Sequence, residues 1–207
     1  MKDKYDEVNL RIKNLELFQD IELIAELYSN IQKIRRLFQF TSEVVVEQVY
    51  SLKDMEELVG GPVPDWLIGM GMGKRIWVLA KSKWKNKKMD LCQLILHEFV
   101  HLALNYKVRK SVPLWLNEGL AVYLSGQYAD YDLQNFQVNP ELDFYHLSYE
   151  SESVYFISAK IVVLFVEEYG LEAIMEEIDR SHDLERSELF KNQNIKRMLK
   201  DNNSKKD

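Results

Sequence analysis

The apolar positions of the first forty residues recur at steps of three and four, the spacing of one face of an α-helix. They predict one long amphipathic helix, or two helices broken near Gln19 and Asp20. The irregular steps argue against a coiled-coil arm. We therefore expect a helical extension over residues 1–40 that packs on the body of the protein. The stripe consists of Val8, Ile12, Leu15, Phe18, Ile21, Ile24, Leu27, Ile31, Ile34 and Leu37.

The pattern becomes strand-like after residue 43, where β-branched residues dominate. VVVEQVY, which begins at Val44, and RIWVLA (75–80) each predict a β-strand. Between them, DMEELV (54–59) predicts a short helix that ends at Gly60. The segment GGPVPDWLIGMGMGK (60–74) is rich in turn formers, so we expect a loop with flexible glycines beside a strand edge. GMGMG lacks the GxGxxG spacing of a phosphate-binding loop.

Three apolar runs in the second half of the chain predict helices. Asp90 provides an N-cap for a helix that extends to about Tyr106. Pro113 suits the first turn of the next helix, and Gly126 suits its end. The run at 153–170 closes on a glycine and predicts a buried helix. One or two short helices are expected after it.

Composition and charge narrow the class of protein. The 207 residues are 46% hydrophobic and 29% charged, which is ordinary for a globular protein. The net charge of -6 argues against nucleic acid or an anionic membrane as a partner. The chain lacks both a run of roughly 18 apolar residues and an apolar signal segment at its N-terminus. With Cys92 as the single cysteine, we expect a soluble cytoplasmic protein.

The segment LILHEFVHLALN (94–105) predicts a buried helix, yet it carries three ionisable residues: His97, Glu98 and His101. Residues four apart lie on one face of a helix, so both imidazoles can point at a single position, with Glu98 beside it. A tetrahedral zinc ion requires this arrangement from two of its ligands. The alternative is a pair of hydrogen-bonded core histidines, and it would bury three ionisable groups together without a metal.

A third ligand candidate, Glu118, follows His101 by seventeen positions in PLWLNEGLAVYLSG. A carboxylate in such an apolar helix needs to face solvent or to be paired with a cation. A turn at 107–112 lets this helix fold back toward the first one. Two histidines, a glutamate and a water form the ligand set of a catalytic zinc site. We therefore expect one Zn²⁺ per chain on His97, His101 and Glu118, although cobalt or manganese could substitute.

HEFVH followed by WLNEGLAVYL resembles the gluzincin metallopeptidases, especially their aminopeptidase branch and the small peptidase-MA-like proteins. The resemblance covers about residues 60–170 and matches His97, His101 and Glu118 to the zinc ligands. It implies an α+β fold that is mostly helical, with a small mixed sheet and a helical C-terminal subdomain. RIWVLA would be the edge strand above the active-site helix, along which an extended peptide lies by β-augmentation.

The apolar stripe and the family resemblance together predict three segments. We expect an N-terminal helical extension at 1–40, a gluzincin-like catalytic domain at 41–200 and a frayed tail at 201–207.

The sequence departs from the family pattern at two places. Nothing matches the GxMEN motif that holds a free amino group, so an exopeptidase is unsupported. Val122 stands where the thermolysin branch has an aspartate, so the group that orients the zinc ligands is not identified.

The resemblance also implies a mechanism. Zinc lowers the pKa of its bound water to about 7, and Glu98 would move the proton of that water to the leaving amine. Tyr155, at the start of the later helix, is the first candidate donor to the oxyanion, because gluzincin relatives place a tyrosine there. His146, in the loop FYHLSYE, is the alternative. Asn117 could bind the substrate backbone or be an ordinary surface amide.

The leading hypothesis is a small zinc-dependent endopeptidase that acts on a peptide or protein substrate, or an amidase that acts on peptide-like bonds. The alternative is a catalytically silent zinc-binding regulatory or interaction protein of the same fold, and the intact Glu98 argues against it. A third possibility is a domain whose histidines bind no metal. The N-terminal extension could restrict access to the cleft and make the enzyme latent. The sequence leaves the oligomeric state undefined.

Overall fold

The computed structural model describes residues 10–13, 21–85, 90–108, 110–149 and 153–204. The chain forms two compact units, Met1–Lys107 and Val108–Asp207. Within the described residues, seven α-helices accompany one small mixed sheet, so the predicted α+β, mostly helical class is confirmed. No helix in these ranges combines the length and the apolar character needed to cross a lipid bilayer. The three-segment division expected from the sequence stays a prediction.

The first unit contains a four-stranded sheet in the order β1-β2-β4-β3. The neighbours β1–β2 and β2–β4 are parallel, whereas β3 runs antiparallel to β4. Val46 at the centre of the sheet lies opposite Ile12 on one side and Ile76 on the other. The strands are β1 (Leu10–Lys13), β2 (Val44–Val49), β3 (Gly69–Met72) and β4 (Arg75–Leu79).

The prediction that RIWVLA is the edge strand was wrong. β4 lies between two other strands, and among the described residues β3 is one of the two outer strands, although its sequence GMGM was expected to be a loop. Glycine is a weak strand former, so the pattern gave a loop signal. Here Gly69 and Gly71 serve close packing instead, because both face a helix that approaches the strand closely.

The helix predicted over the first forty residues was wrong at its start. Residues 10–13 form β1, in which Leu10 and Ile12 are half-buried and Arg11 and Lys13 are exposed. This period of two matches a strand, and β1 pairs in parallel with β2. The helix α1 (Ile21–Phe38) then begins just after the predicted break, and the stripe residues Leu27, Ile31 and Ile34 are buried. The stripe positions Val8, Leu15 and Phe18 lie outside the described residues.

Two further helices complete the first unit. The helix α2 (Leu52–Val59) is capped by Ser51, whose hydroxyl accepts the Asp54 N–H at 3.1 Å. The helix α3 (Leu91–Lys107) begins as predicted, because the Asp90 carboxylate accepts the N–H of Gln93 at 2.9 Å. α3 packs against α1 and against the strands β3 and β4.

The second unit is helical, as expected for the C-terminal part. Pro113 and Gly126 flank its first helix, and Gly170, with a φ of 80°, separates the second helix from the third. The first two helices pack closely against each other. The last helix continues into the segment that was predicted as a tail. The helices are α4 (Leu114–Leu124), α5 (Ser153–Tyr169), α6 (Leu171–Arg180) and α7 (Asn192–Ser204).

Candidate metal site

His97 and His101 lie one turn apart on the same face of α3. Their Nε2 atoms are 3.0 Å apart, and the two rings stand nearly perpendicular, at 82°. His97 is only 7% exposed, and His101 is half-buried. Two nitrogens bound to one tetrahedral zinc at 2.0–2.1 Å would be about 3.3 Å apart. The two imidazoles therefore already converge at a spacing close to that of a metal-bound pair.

Packing in the first unit holds this turn of α3 in place. Phe99, Val100 and Ala103 on the same helix are fully buried. On the side of the sheet, a Cβ atom at Gly71 would stand 3.0 Å from the backbone carbonyl oxygen of Glu98. A strand with larger side chains could not approach so closely. The edge strand β3 therefore lies directly against the turn that carries Glu98, whose side chain is half-buried.

Glu118 lies in the middle of α4 and is only 2% exposed. Its neighbours on the helix include the fully buried Trp115 and Val122. A carboxylate in such a place needs compensating partners. The hydroxyl of Tyr149 donates a hydrogen bond to its Oε1 at 2.6 Å, the short distance typical of O–H donors on a charged carboxylate.

One nitrogen from each histidine and one oxygen of Glu118 lie within 4.8 Å of one another. Two imidazole nitrogens and a carboxylate oxygen are the donors of many catalytic zinc sites, in which a water takes the fourth position. Imidazole and carboxylate groups also bind other first-row transition metals, so these ligands do not identify which metal ion is bound. The expected ligands form a group that can hold a metal ion.

Tyr155 lies in the first turn of α5 and is half-buried. It packs against the cluster of Val122, Leu133 and Ala159, and its ring centroid is 6.4 Å from that of Tyr149. Its predicted role as an oxyanion donor stays a prediction.

His146, the alternative donor, lies in a 3₁₀ turn with its side chain 81% exposed. Its Nδ1 is 2.8 Å from Oδ2 of Asp143, and this hydrogen bond is the main reason that the pKa of Asp143 lies below its usual range. His146 is therefore engaged with a local carboxylate, and its catalytic role also stays a prediction. Asn117, the other polar candidate, is half-buried in α4.

Two tyrosines near Glu118 were missed by sequence reasoning. Tyr149 stands in the same FYHLSYE segment as His146, but nothing in the local pattern distinguishes it from other tyrosines. Tyr131 stacks on Phe156 with ring centroids 4.3 Å apart. Burial, and then the charges of Asp130 and Glu118, raise the pKa of Tyr131 to about 12. Its hydroxyl therefore stays protonated at neutral pH.

Cys92 and a surface pocket of the second unit are further candidates for a reactive or binding group. Cys92 is half-buried, and burial followed by the charges of Asp90 and Glu26 raises its pKa to about 11, which disfavours a nucleophilic thiolate. A pocket at α6 and α7, whose lining includes Glu177 and Arg197, contains none of the candidate ligands.

No protein-family model, curated protein or solved structure matched the chain. Fold and side-chain positions together define an α+β protein with a candidate metal site. The assignment that follows therefore rests on the two sequence motifs and on this geometry.

Proposed function

We propose that the protein is a zinc metallopeptidase, and more specifically an endopeptidase of the gluzincin type. His97, His101 and Glu118 would hold the metal. The proximity of their ligand atoms, within 4.8 Å, is the single observation that carries the proposal. The half-buried Glu98 next to His97 supports it, because a general base is needed beside the metal-bound water.

The proposed reaction is hydrolysis of a peptide bond by water. When bound, zinc lowers the pKa of a coordinated water to near 7 and polarises the scissile carbonyl. Glu98 takes a proton from the attacking water and delivers it to the leaving nitrogen. Tyr155, or His146 in its place, donates a hydrogen bond to the oxygen that becomes negatively charged.

The substrate would bind as an extended peptide along β3. In the described part of the chain this strand is the last one of the sheet, and it lies against the turn of α3 that carries Glu98. An edge strand offers backbone groups to a pairing segment, so affinity comes from main-chain hydrogen bonds. This assignment moves the peptide-binding edge from β4, expected from the sequence, to β3. The segment GMGMG contains no acidic residue that could bind the free amino group of a substrate, and this favours an endopeptidase over an exopeptidase.

Metal content and cleavage test the proposal together. Protein purified without chelator or metal-affinity tag is expected to contain about one zinc per chain. Glu118→Ala and His97→Ala are expected to lose it, whereas His182→Ala, which removes an exposed histidine, is expected to keep it. Glu98→Gln is expected to retain the metal and lose cleavage of a peptide library.

The outcomes separate the competing functions. A wild-type protein that neither contains zinc nor takes it up would eliminate the metal site and the peptidase assignment with it. Full zinc occupancy without cleavage of any peptide would instead favour the silent zinc-binding alternative.

A further inference from the structure

The hydrogen bond between Tyr149 and Glu118 has no role in the reaction described above. The hydroxyl lies 2.6 Å from Oε1 of a carboxylate that is only 2% exposed. Tyr149 itself is 48% exposed and follows a 3₁₀ turn, Phe144–His146, in a segment without regular structure. An exposed side chain thus delivers its polar tip to a buried candidate ligand.

We propose that Tyr149 is a positioning residue for the metal site: it holds one oxygen of Glu118 and thereby presents the other oxygen to the ion. A glutamate has three rotatable side-chain bonds, and ordering them costs free energy. A hydrogen bond to one carboxylate oxygen restricts that freedom and favours coordination through the second oxygen. The inference rests on the metal site of the proposed function and does not depend on peptide hydrolysis.

The contact that supports the positioning role is the hydrogen bond from the Tyr149 hydroxyl to the ligand carboxylate. Partners that orient metal ligands typically change metal affinity by 10- to 100-fold when they are removed. Because Tyr149 is about half exposed, removal of its hydroxyl leaves the packing of the second unit intact.

The test compares the zinc dissociation constant of the wild type with those of two variants, measured by competition with a chromophoric chelator at neutral pH. Tyr149→Phe is expected to bind zinc about 10- to 100-fold more weakly. Tyr128→Phe is the matched control, since it removes a hydroxyl from another exposed tyrosine of the same unit, and it is expected to stay within about twofold. Urea unfolding checks that all three proteins are folded.

A second measurement separates positioning from a general structural effect. At saturating Co²⁺, Tyr149→Phe is expected to change the visible absorption of the bound cobalt, because that absorption depends on coordination geometry. Tyr128→Phe is expected to give the wild-type spectrum. Wild-type zinc affinity together with an unchanged cobalt spectrum in Tyr149→Phe would overturn the inference.

Failure of the proposed function gives a different result. If the wild type binds zinc and Tyr149→Phe lowers the zinc affinity, but no peptide is cleaved, the positioning role is supported and the peptidase assignment is wrong. If the wild type binds neither metal, both proposals fall.

Discussion

Gly119 on α4 lies against the backbone of Ser158 on α5, so closely that a Cβ atom at Gly119 would stand 2.5 Å from the Ser158 carbonyl oxygen. The side chain of Val162 is also in the way. A backbone carbonyl in a helix cannot rotate aside, so only glycine fits at this helix crossing. The glycine of the WLNEG motif thus fixes the packing of the helix that carries Glu118.

Gly119→Ala is therefore expected to destabilise the protein. Alanine gains up to about 1 kcal/mol of helix propensity over glycine. Overpacking against a fixed backbone costs about 1–3 kcal/mol or more, and the clash here is severe. We expect a net loss of about 2 kcal/mol in the free energy of unfolding, measured by urea denaturation.

Gly61→Ala is the control for this prediction, because no heavy atom lies within 4 Å of the Cβ position at Gly61. Its free energy of unfolding is expected to stay within about 0.5 kcal/mol of the wild type. Equal stability of Gly119→Ala and Gly61→Ala would show that α4 and α5 do not approach as closely as described.

The features that the sequence predicted correctly are those encoded by near neighbours. Asp90 and Gly170 mark helix boundaries through local capping geometry, and the four-residue spacing of His97 and His101 places them on one helix face. These local features depend only on nearby residues, so they can be predicted without knowledge of the tertiary structure.

The features that were missed depend on distant parts of the chain. GMGM forms a strand because the helix α3 passes close to it, and residues 10–13 form a strand because β2 offers a parallel partner. In the same way, Tyr149 contacts Glu118 across 31 positions of sequence. Periodicity and composition contain no information about such pairings.

Gly71→Val tests the packing of the edge strand on α3. The Cβ position of Gly71 lies 3.0 Å from the Glu98 carbonyl oxygen and 3.2 Å from Cγ of Leu102. Valine has the higher strand propensity, worth up to about 1 kcal/mol, but its methyl groups would push β3 away from the helix. We expect a loss of about 1–3 kcal/mol in the free energy of unfolding, measured in urea.

The matched control is Met72→Val, the same type of residue introduced at the next position of the strand. Met72 points to the opposite face of the sheet and is 49% exposed, so its replacement is expected to be nearly neutral. If the two variants have equal free energies of unfolding, β3 does not pack against α3 as closely as described.

Cys92 is expected to react slowly with iodoacetamide in the folded protein. Burial and then the charges of Asp90 and Glu26 raise its pKa from 9.0 to about 11. Only the thiolate reacts, so at pH 8 the alkylation rate is expected to be about 100-fold lower than in the urea-unfolded chain. The chain has a single cysteine, so the adduct measured by mass spectrometry reports this site alone.

The variant Glu26→Gln sharpens the Cys92 prediction. It removes one of the two negative charges that raise the thiol pKa, so it is expected to increase the alkylation rate of the folded protein modestly. A folded wild-type protein that reacts as fast as the unfolded chain would contradict the prediction.

Glu177 is expected to make the protein sensitive to acid. Burial alone would raise the pKa of this carboxyl, but hydrogen bonds from Ser181, Ser187 and Arg180 outweigh it and hold the pKa below the usual 4.5. The Ser187 hydroxyl lies 2.5 Å from Oε1 of Glu177. Because the folded pKa is lower than the unfolded one, this stabilisation is present above the unfolded pKa. It is lost as the pH falls through the folded pKa.

Urea unfolding between pH 7 and pH 3 tests this sign. Glu177→Gln is expected to be about 1–3 kcal/mol less stable than the wild type at pH 7, because it loses the charged acceptor of three hydrogen bonds. The difference is expected to shrink as the pH falls from the unfolded pKa through the lower folded pKa, where the wild-type carboxyl takes up its proton. Glu176→Gln, at the exposed neighbouring position, is the control and is expected to follow the wild-type curve. A difference between Glu177→Gln and wild type that is constant from pH 7 to pH 3 would show that the Glu177 charge does not contribute to stability.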